Sequence, residues 1–188
     1  MRIHTAKHGL LFVLVLSLVG SQAWSGETRS ASAEQLRRGQ YLATLGGCSD
    51  CHSPKVMTAD GPQPDPSRLL SGHRADSQVG PVPPGVPGSS EWGVVANNDL
   101  TAWAGPWGTS FAANLTPDKA TGIGGWTAAQ FIKTIRTGRH LGVGRPLLPP
   151  MPSSDVAVLT DRDLKALFAY LKSLRPVGNQ VPPPVPPK

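Results

Sequence analysis

The sequence predicts an all-α fold: three short amphipathic helices joined by long coil. Three observations carry that expectation. Three segments repeat apolar residues at helical spacing behind a capping signal. The 188 residues include 21 Gly and 20 Pro, too many punctuating residues for a large regular sheet. Aromatic residues make up 6% of the chain and apolar residues 39%, a thin supply for one domain of this length. Helices this short, with this few aromatics, call for a large, rigid, apolar group in the core.

Residues 1–23 read as an export signal. Arg2 and Lys7 make a cationic start, Leu10 to Val19 an apolar run, and Ser21-Gln22-Ala23 a small-x-small cleavage site. A ten-residue run falls short of the ~20 residues that span a bilayer. The expected mature chain therefore begins at Trp24, has no stable membrane span, and lies in the periplasm or is otherwise exported. Cleavage leaves 16 basic against 12 acidic side chains, a mild +4. The basic residues read as spread along the chain, and no Lys/Arg run alternates with aromatics, so nucleic-acid binding has no support.

Residues 24–31 are expected to be a flexible N-terminus, and 32–175 the domain. The first helix runs from Ala33 to Leu45, with Ser32 at the N-cap, Gln35 three residues on, and Gly46-Gly47 to stop it. Residues 53–118 form a long Gly/Pro-rich insertion, in which a short β-hairpin near Trp92 to Trp103 would turn at Asn97-Asn98. The second helix spans Ala128 to Thr137, with Thr127 and Gln130 as a capping pair and Gly138 at C′. Thr160 caps the third, Asp161 to Leu174, whose Leu164, Leu167, Phe168, Leu171 and Leu174 form one stripe until Pro176 forbids continuation. The tail 176–188, with six prolines, is expected to be extended and poorly ordered.

Both cysteines of the chain fall in Cys48-Ser49-Asp50-Cys51-His52, the C-x-x-C-H signature of covalent c-type haem attachment. Two thiols three positions apart can each add to one vinyl group of a single porphyrin, and the adjacent histidine is then held beneath the iron. A thioredoxin-type disulfide would want a βαβ context, and a zinc site would want two further ligands from His52, His73 and His140. A plain disulfide leaves His52 unexplained. For a sixth ligand the candidates are Met57, Met151, His73 and His140. Met57 lies only five residues past His52, too near to cross to the other haem face. Met151 sits in Pro149-Pro150-Met151-Pro152, a stiff strap that loses little entropy in presenting a thioether. His140 is its main competitor.

With these residues in order, Ala33 to Arg175 resembles the class I c-type cytochromes. Asn114-Leu115-Thr116-Pro117-Asp118 with Thr121-Gly122-Ile123-Gly124-Gly125-Trp126-Thr127 is similar, more narrowly, to cytochrome modules of periplasmic alcohol, aldehyde and gluconate dehydrogenases. The resemblance implies a helical fold enclosing one covalent haem c, with His52 and Met151 as iron ligands. It also implies Trp126 or Asn114 as hydrogen-bond partners of a haem propionate, and an end-helix crossing made by Gly39, Tyr41 and Tyr170. Arg136, Arg139 and Arg145 would be on hand to neutralise propionates. The expected role is that of an electron carrier, not an enzyme, moving one electron from a dehydrogenase donor to an oxidase or another cytochrome. A haem enzyme or gas sensor with an open sixth position, and a fixed subunit of a dehydrogenase complex, are the alternatives.

Overall fold

The computed structural model describes residues 31–82, 84–85, 89 and 91–187. The export-signal expectation at 1–23, most of the flexible stretch 24–31, and Lys188 lie outside the described residues. No helix among them is long and apolar enough to cross a membrane.

The three helices stand where their caps put them. Helix α1 spans Ala33–Leu45, and the Ser32 side chain accepts from the Gln35 N–H. Helix α3 spans Ala128–Thr137 behind a full capping box of Thr127 and Gln130, and ends at Gly138 in the left-handed conformation (φ 62°), which glycine adopts without strain. Helix α5 spans Asp161–Ser173, with Thr160 accepting from the Asp163 N–H. Two further helices were not anticipated: α2, Cys48–His52, one turn carrying the cysteine motif, and α4, Ser153–Val156. Both are too short to show periodicity.

Helices α1 and α5 cross at Gly39. A Cβ there would overlap the Ala166 carbonyl oxygen and lie 2.6 Å from Tyr170 Cβ, so only glycine lets the backbones come this close. Tyr41 has no part in the crossing: it is 55% exposed and lies beneath the Arg38 guanidinium. Leu164, Leu167, Phe168 and Leu171 of α5 meet Phe131 and Ile135 of α3, Ala43 of α1, Leu70 and Ile123 in one apolar cluster. The rings of Phe131 and Phe168 lie 5.2 Å apart.

The all-α expectation needs correction. The insertion folds into two small antiparallel sheets: β1 (Lys55–Thr58) with β2 (Gly61–Pro64), and β3 (Val95–Ala96), β4 (Ala102–Gly105) and β5 (Gly108–Phe111) in that order. The expected hairpin near 92–103 is the β3–β4 pair, turned by Asn97, whose Oδ1 accepts from the N–H groups of Thr101 and Ala102. The β1–β2 and β4–β5 hairpins escape a sequence reading because their strands are four residues long and carry prolines and glycines, with no apolar alternation.

The tail is extended, as its prolines require, but it is not free. The N–H and C=O of Val185 pair with those of Thr109, which adds the tail to the edge of β5. Asn179, only 5% exposed, donates to the Ser71 and His73 carbonyls at 2.7 and 2.8 Å and accepts from the Ala75 N–H. Asn114 donates to the Val177 carbonyl at 2.8 Å.

Candidate functional site

The site begins with a turn. Gly46 and Gly47 end α1, and Gly47 in the left-handed conformation (φ 59°) reverses the chain so that α2 starts at once. A single helical turn puts Cys48 and Cys51, three positions apart, on one face with His52 beside them. The two cysteines are not bonded to each other. Burial pushes both thiols above the usual range, the effect on Cys51 being offset in part by nearby Lys55. The motif sits on one helical turn between α1 and the antiparallel β1–β2 hairpin, not in the βαβ context that a thioredoxin-type site would want. Among the described residues no three His, Cys, Asp or Glu side chains converge as metal ligands, and a zinc site is not assembled.

His52 is fixed by one hydrogen bond. Its Nδ1 lies 2.8 Å from the Ala113 carbonyl oxygen. A carbonyl only accepts, so Nδ1 carries the proton and Nε2 is left with its lone pair. Burial lowers the pKa of the ring, the Ala113 carbonyl opposing, so the neutral tautomer holds at neutral pH. This is the state in which a histidine ligates a metal, with its second nitrogen tied to the backbone. The residues present thus fit a haem, which Cys48 and Cys51 would hold and whose iron His52 could ligate. Segment 71–73 completes the support: the Gly72 N–H donates to the His52 carbonyl at 2.7 Å, and the His73 N–H to the Ala112 carbonyl at 2.9 Å.

Lys55 is a site residue that sequence reasoning missed. Its ammonium donates to the carbonyls of Asp50 and Ser53, both at 2.7 Å, and of Asp99 at 3.1 Å. All three protons are used. The charge caps the C-terminal end of α2, where the helix dipole favours a cation, and ties it to the turn before β4. No local pattern marks such a lysine, since Asp99 is 44 residues away.

Met151 and Cys48 both pack against the apolar cluster, so the strap and the cysteine turn border one region. The strap is held on its N-terminal side. The Leu147 N–H donates to the Gly138 carbonyl at 2.8 Å, and the Ser110 hydroxyl of β5 donates to the Pro149 carbonyl at 2.6 Å. Met57 is 80% exposed on the β1–β2 hairpin. His73 is buried, its Nδ1 2.9 Å from Thr101 Oγ1 and its ring against Phe111. His140 is exposed, edge-on to Trp126 at 5.2 Å between centroids, and burial of that edge, with Arg145 adding, lowers its pKa.

The expected propionate partners separate. Trp126 packs partly buried against the cluster. Asn114 is spent internally: Nδ2 donates to Thr121 Oγ1 and to the Val177 and Asn179 carbonyls, and Oδ1 accepts from the N–H and hydroxyl of Thr116. It is a hub joining the Asn-Leu-Thr-Pro-Asp segment to the tail. Arg136 is likewise committed, donating to the Ala157 and Leu159 carbonyls and to Asp161 at 2.7 Å.

No protein-family model matches the chain. Among known proteins it is 33% identical over 170 residues to the gluconate 2-dehydrogenase cytochrome c subunit of Pantoea cypripedii, covering 90% of this chain and 30% of that one. It is 31% identical to the fructose dehydrogenase cytochrome subunit of Gluconobacter japonicus, with coverage of 90% and 28%. To the cytochrome c subunit of the quinone alcohol dehydrogenase of Gluconobacter oxydans it is 26% identical, covering 93% of this chain and 29% of that one. The chain thus spans less than a third of the length of each of these relatives. It is a homologue, over part of their length, of the cytochrome c subunits of dehydrogenases.

Proposed function

We propose that this chain is an exported, single-haem electron carrier. Its haem c is attached through Cys48 and Cys51 and ligated by His52 and Met151, and it moves one electron at a time from a dehydrogenase to an oxidase or another cytochrome. The observation that carries the reading is His52: a neutral imidazole with Nδ1–H given to Ala113 O and Nε2 free to ligate, one residue past two unbonded thiols.

When bound, the haem supplies an iron that alternates between ferric and ferrous. The chain's own residues do the rest. Ala113 holds the His52 ring in one tautomer and one orientation. The Met151 thioether, a soft donor, favours the reduced metal and raises the potential relative to a second histidine. Trp126 offers its indole to a propionate. The apolar cluster around Phe131, Leu164 and Phe168 keeps water from the buried face and cuts the solvent rearrangement that each change of charge demands. The proposed role is carriage of an electron and not catalysis, in keeping with relatives that are cytochrome subunits of dehydrogenases.

The test is direct. Protein recovered from the exported fraction should keep its haem colour on a denaturing gel and weigh one haem more than the chain from Trp24 onward. Colour extracted by acid acetone would defeat the proposal. Met151→Ala should abolish the long-wavelength sulfur-to-iron band and open the iron to carbon monoxide, and Met57→Ala should change neither. If His140→Ala alters the spectrum and Met151→Ala does not, the ligand assignment is wrong.

A second reading is favoured by the relatives' own names, which are those of subunits. The chain would then be held permanently in a complex, and its purification with a dehydrogenase through high salt would separate that case from a free shuttle.

A further inference from the structure

The basic residues run along the whole chain, but the acidic ones do not. Residues 50–118 carry seven acidic and three basic side chains, whereas residues 119–154 carry five basic and none acidic. Of those five, Arg136 is paired with Asp161. Lys133, Arg139 and Arg145 have no ion-pair partner among the described residues, and all three are exposed.

Arg139 and Arg145 belong to one small knob that packs on the Lys133 side chain of α3. Residues 139–146 fold back on themselves: Arg139 bridges to Pro146, and the His140 N–H donates to the Arg145 carbonyl at 2.9 Å. Gly142 lies against the side chain of Lys133, where a Cβ would overlap it, so the knob and α3 present their cations side by side. At its tip Val143 is 73% exposed. His140 seats the knob edge-on against Trp126, and the Leu147 N–H bond to the Gly138 carbonyl closes its base, four residues before Met151.

Single exposed valines are common on protein surfaces. A valine set among three unpaired cations has the make-up of a docking contact: an apolar centre that loses water, and a charged rim that steers the encounter. We propose that this knob docks an acidic face of the protein with which the chain exchanges electrons. This rests on the electron-carrier reading, and it commits the partner to negative charge around a small apolar depression. A single-valine tip is too small to anchor in a bilayer, and two cations on one short turn with a third on α3 do not track a nucleic-acid backbone.

The probe is fluorescein-labelled poly-L-glutamate, its binding to the purified full-length protein read by anisotropy at low ionic strength. This readout involves no electron, so a failed haem assignment leaves it intact. The triple variant K133E/R139E/R145E should bind about tenfold more weakly than wild type, and wild-type binding should vanish in roughly 0.5 M salt. The matched variant R37E/R162E/K165E, with the same charge change on the α1–α5 face, should bind within about twofold of wild type. The milder R139Q/R145Q, which keeps the turn's backbone bonds, should lie between wild type and the triple reversal. Equal loss in both triple variants would mean that net charge alone decides, and would overturn the proposal. So would release of the knob variant from phosphatidylglycerol vesicles with no change in polyglutamate binding, which would assign the knob to a membrane.

Discussion

Two regions of this molecule are held together by different means. The helical frame of α1, α3 and α5 is closed by apolar contact: a stripe on α5, a pair of phenylalanines, and one glycine that lets two backbones touch. The insertion from Ser53 to Asp118 adds Leu70 to that cluster, with Leu69 and Leu115 packed against it, but it has no periodic apolar face of its own. It is pinned by polar side chains: Asn97 closes its own turn, while Lys55 reaches Asp99, Asn114 reaches Val177, and Asn179 reaches Ser71, His73 and Ala75 far along the chain. Where prolines and glycines forbid a periodic apolar face, a buried amide that meets several backbone groups does the same job. Each such group left unmet would be costly, so the hubs make the segment specific as well as stable.

The largest effect is expected at the helix crossing. Gly39→Val drives a branched side chain into Ala166 and Tyr170, and should cost about 3 kcal/mol in guanidinium unfolding of the holoprotein. A cost under about 1 kcal/mol would mean that the helices can part without loss. Next comes Asn179→Ala, which strips partners from the buried Ser71 and His73 carbonyls and should cost about 2 kcal/mol. Hydrogen exchange sharpens that case: protection should fall at Ala75 and Thr109 and stay at Leu164 and Leu167. Equal loss at all four would make the insertion and the helical frame one cooperative unit.

Lys55→Met removes the cation from three carbonyls at the end of the cysteine turn. We expect a loss of roughly 1–2 kcal/mol, recovered in part by Lys55→Arg, together with a lower midpoint potential because a positive charge has left the neighbourhood of His52. An unchanged potential would confine Lys55 to a structural role. The smallest effect belongs to the Arg38–Asp163 pair at 2.8 Å. The Arg38 hydrogen bond, helped by Thr160, holds the Asp163 carboxyl below the usual carboxylate range. A depressed folded pKa gives stability that is present above the unfolded value near 3.9 and lost as pH falls through the folded one. With Arg38 half exposed, solvent screens the pair and its contribution is small. Asp163→Asn should therefore lower stability slightly at pH 7, and the gap from wild type should close in acid. A gap that widens in acid would contradict the assignment.

What could be read from the sequence was whatever a few adjacent residues decide. Ser32 with Gln35, Thr127 with Gln130, and Thr160 with Asp163 mark helix starts because a cap and its N–H lie three residues apart. The cysteine motif is local in the same sense: thiol spacing and the neighbouring imidazole are set within one turn. Gly39 and Tyr170 were legible through resemblance, and Tyr41, read the same way, went instead to the surface beside Arg38.

Tertiary structure alone decided the rest, because the deciding partners are distant in sequence. Four-residue strands carry too little pattern to announce themselves, and they pair here because flanking turns and the docked tail satisfy their backbone groups. That Asn114 bonds the carbonyls of Val177 and Asn179, some sixty residues on, has no local sign in the sequence. The tautomer of His52 depends on the carbonyl of Ala113, the footing of Met151 on the hydroxyl of Ser110, and the capping of α2 on a lysine that also reaches Asp99. Local chemistry marks Cys48, Cys51 and His52 as the residues proposed to hold a haem, and only long-range closure orients His52, since a hydrogen bond across the fold has no period for a sequence to display.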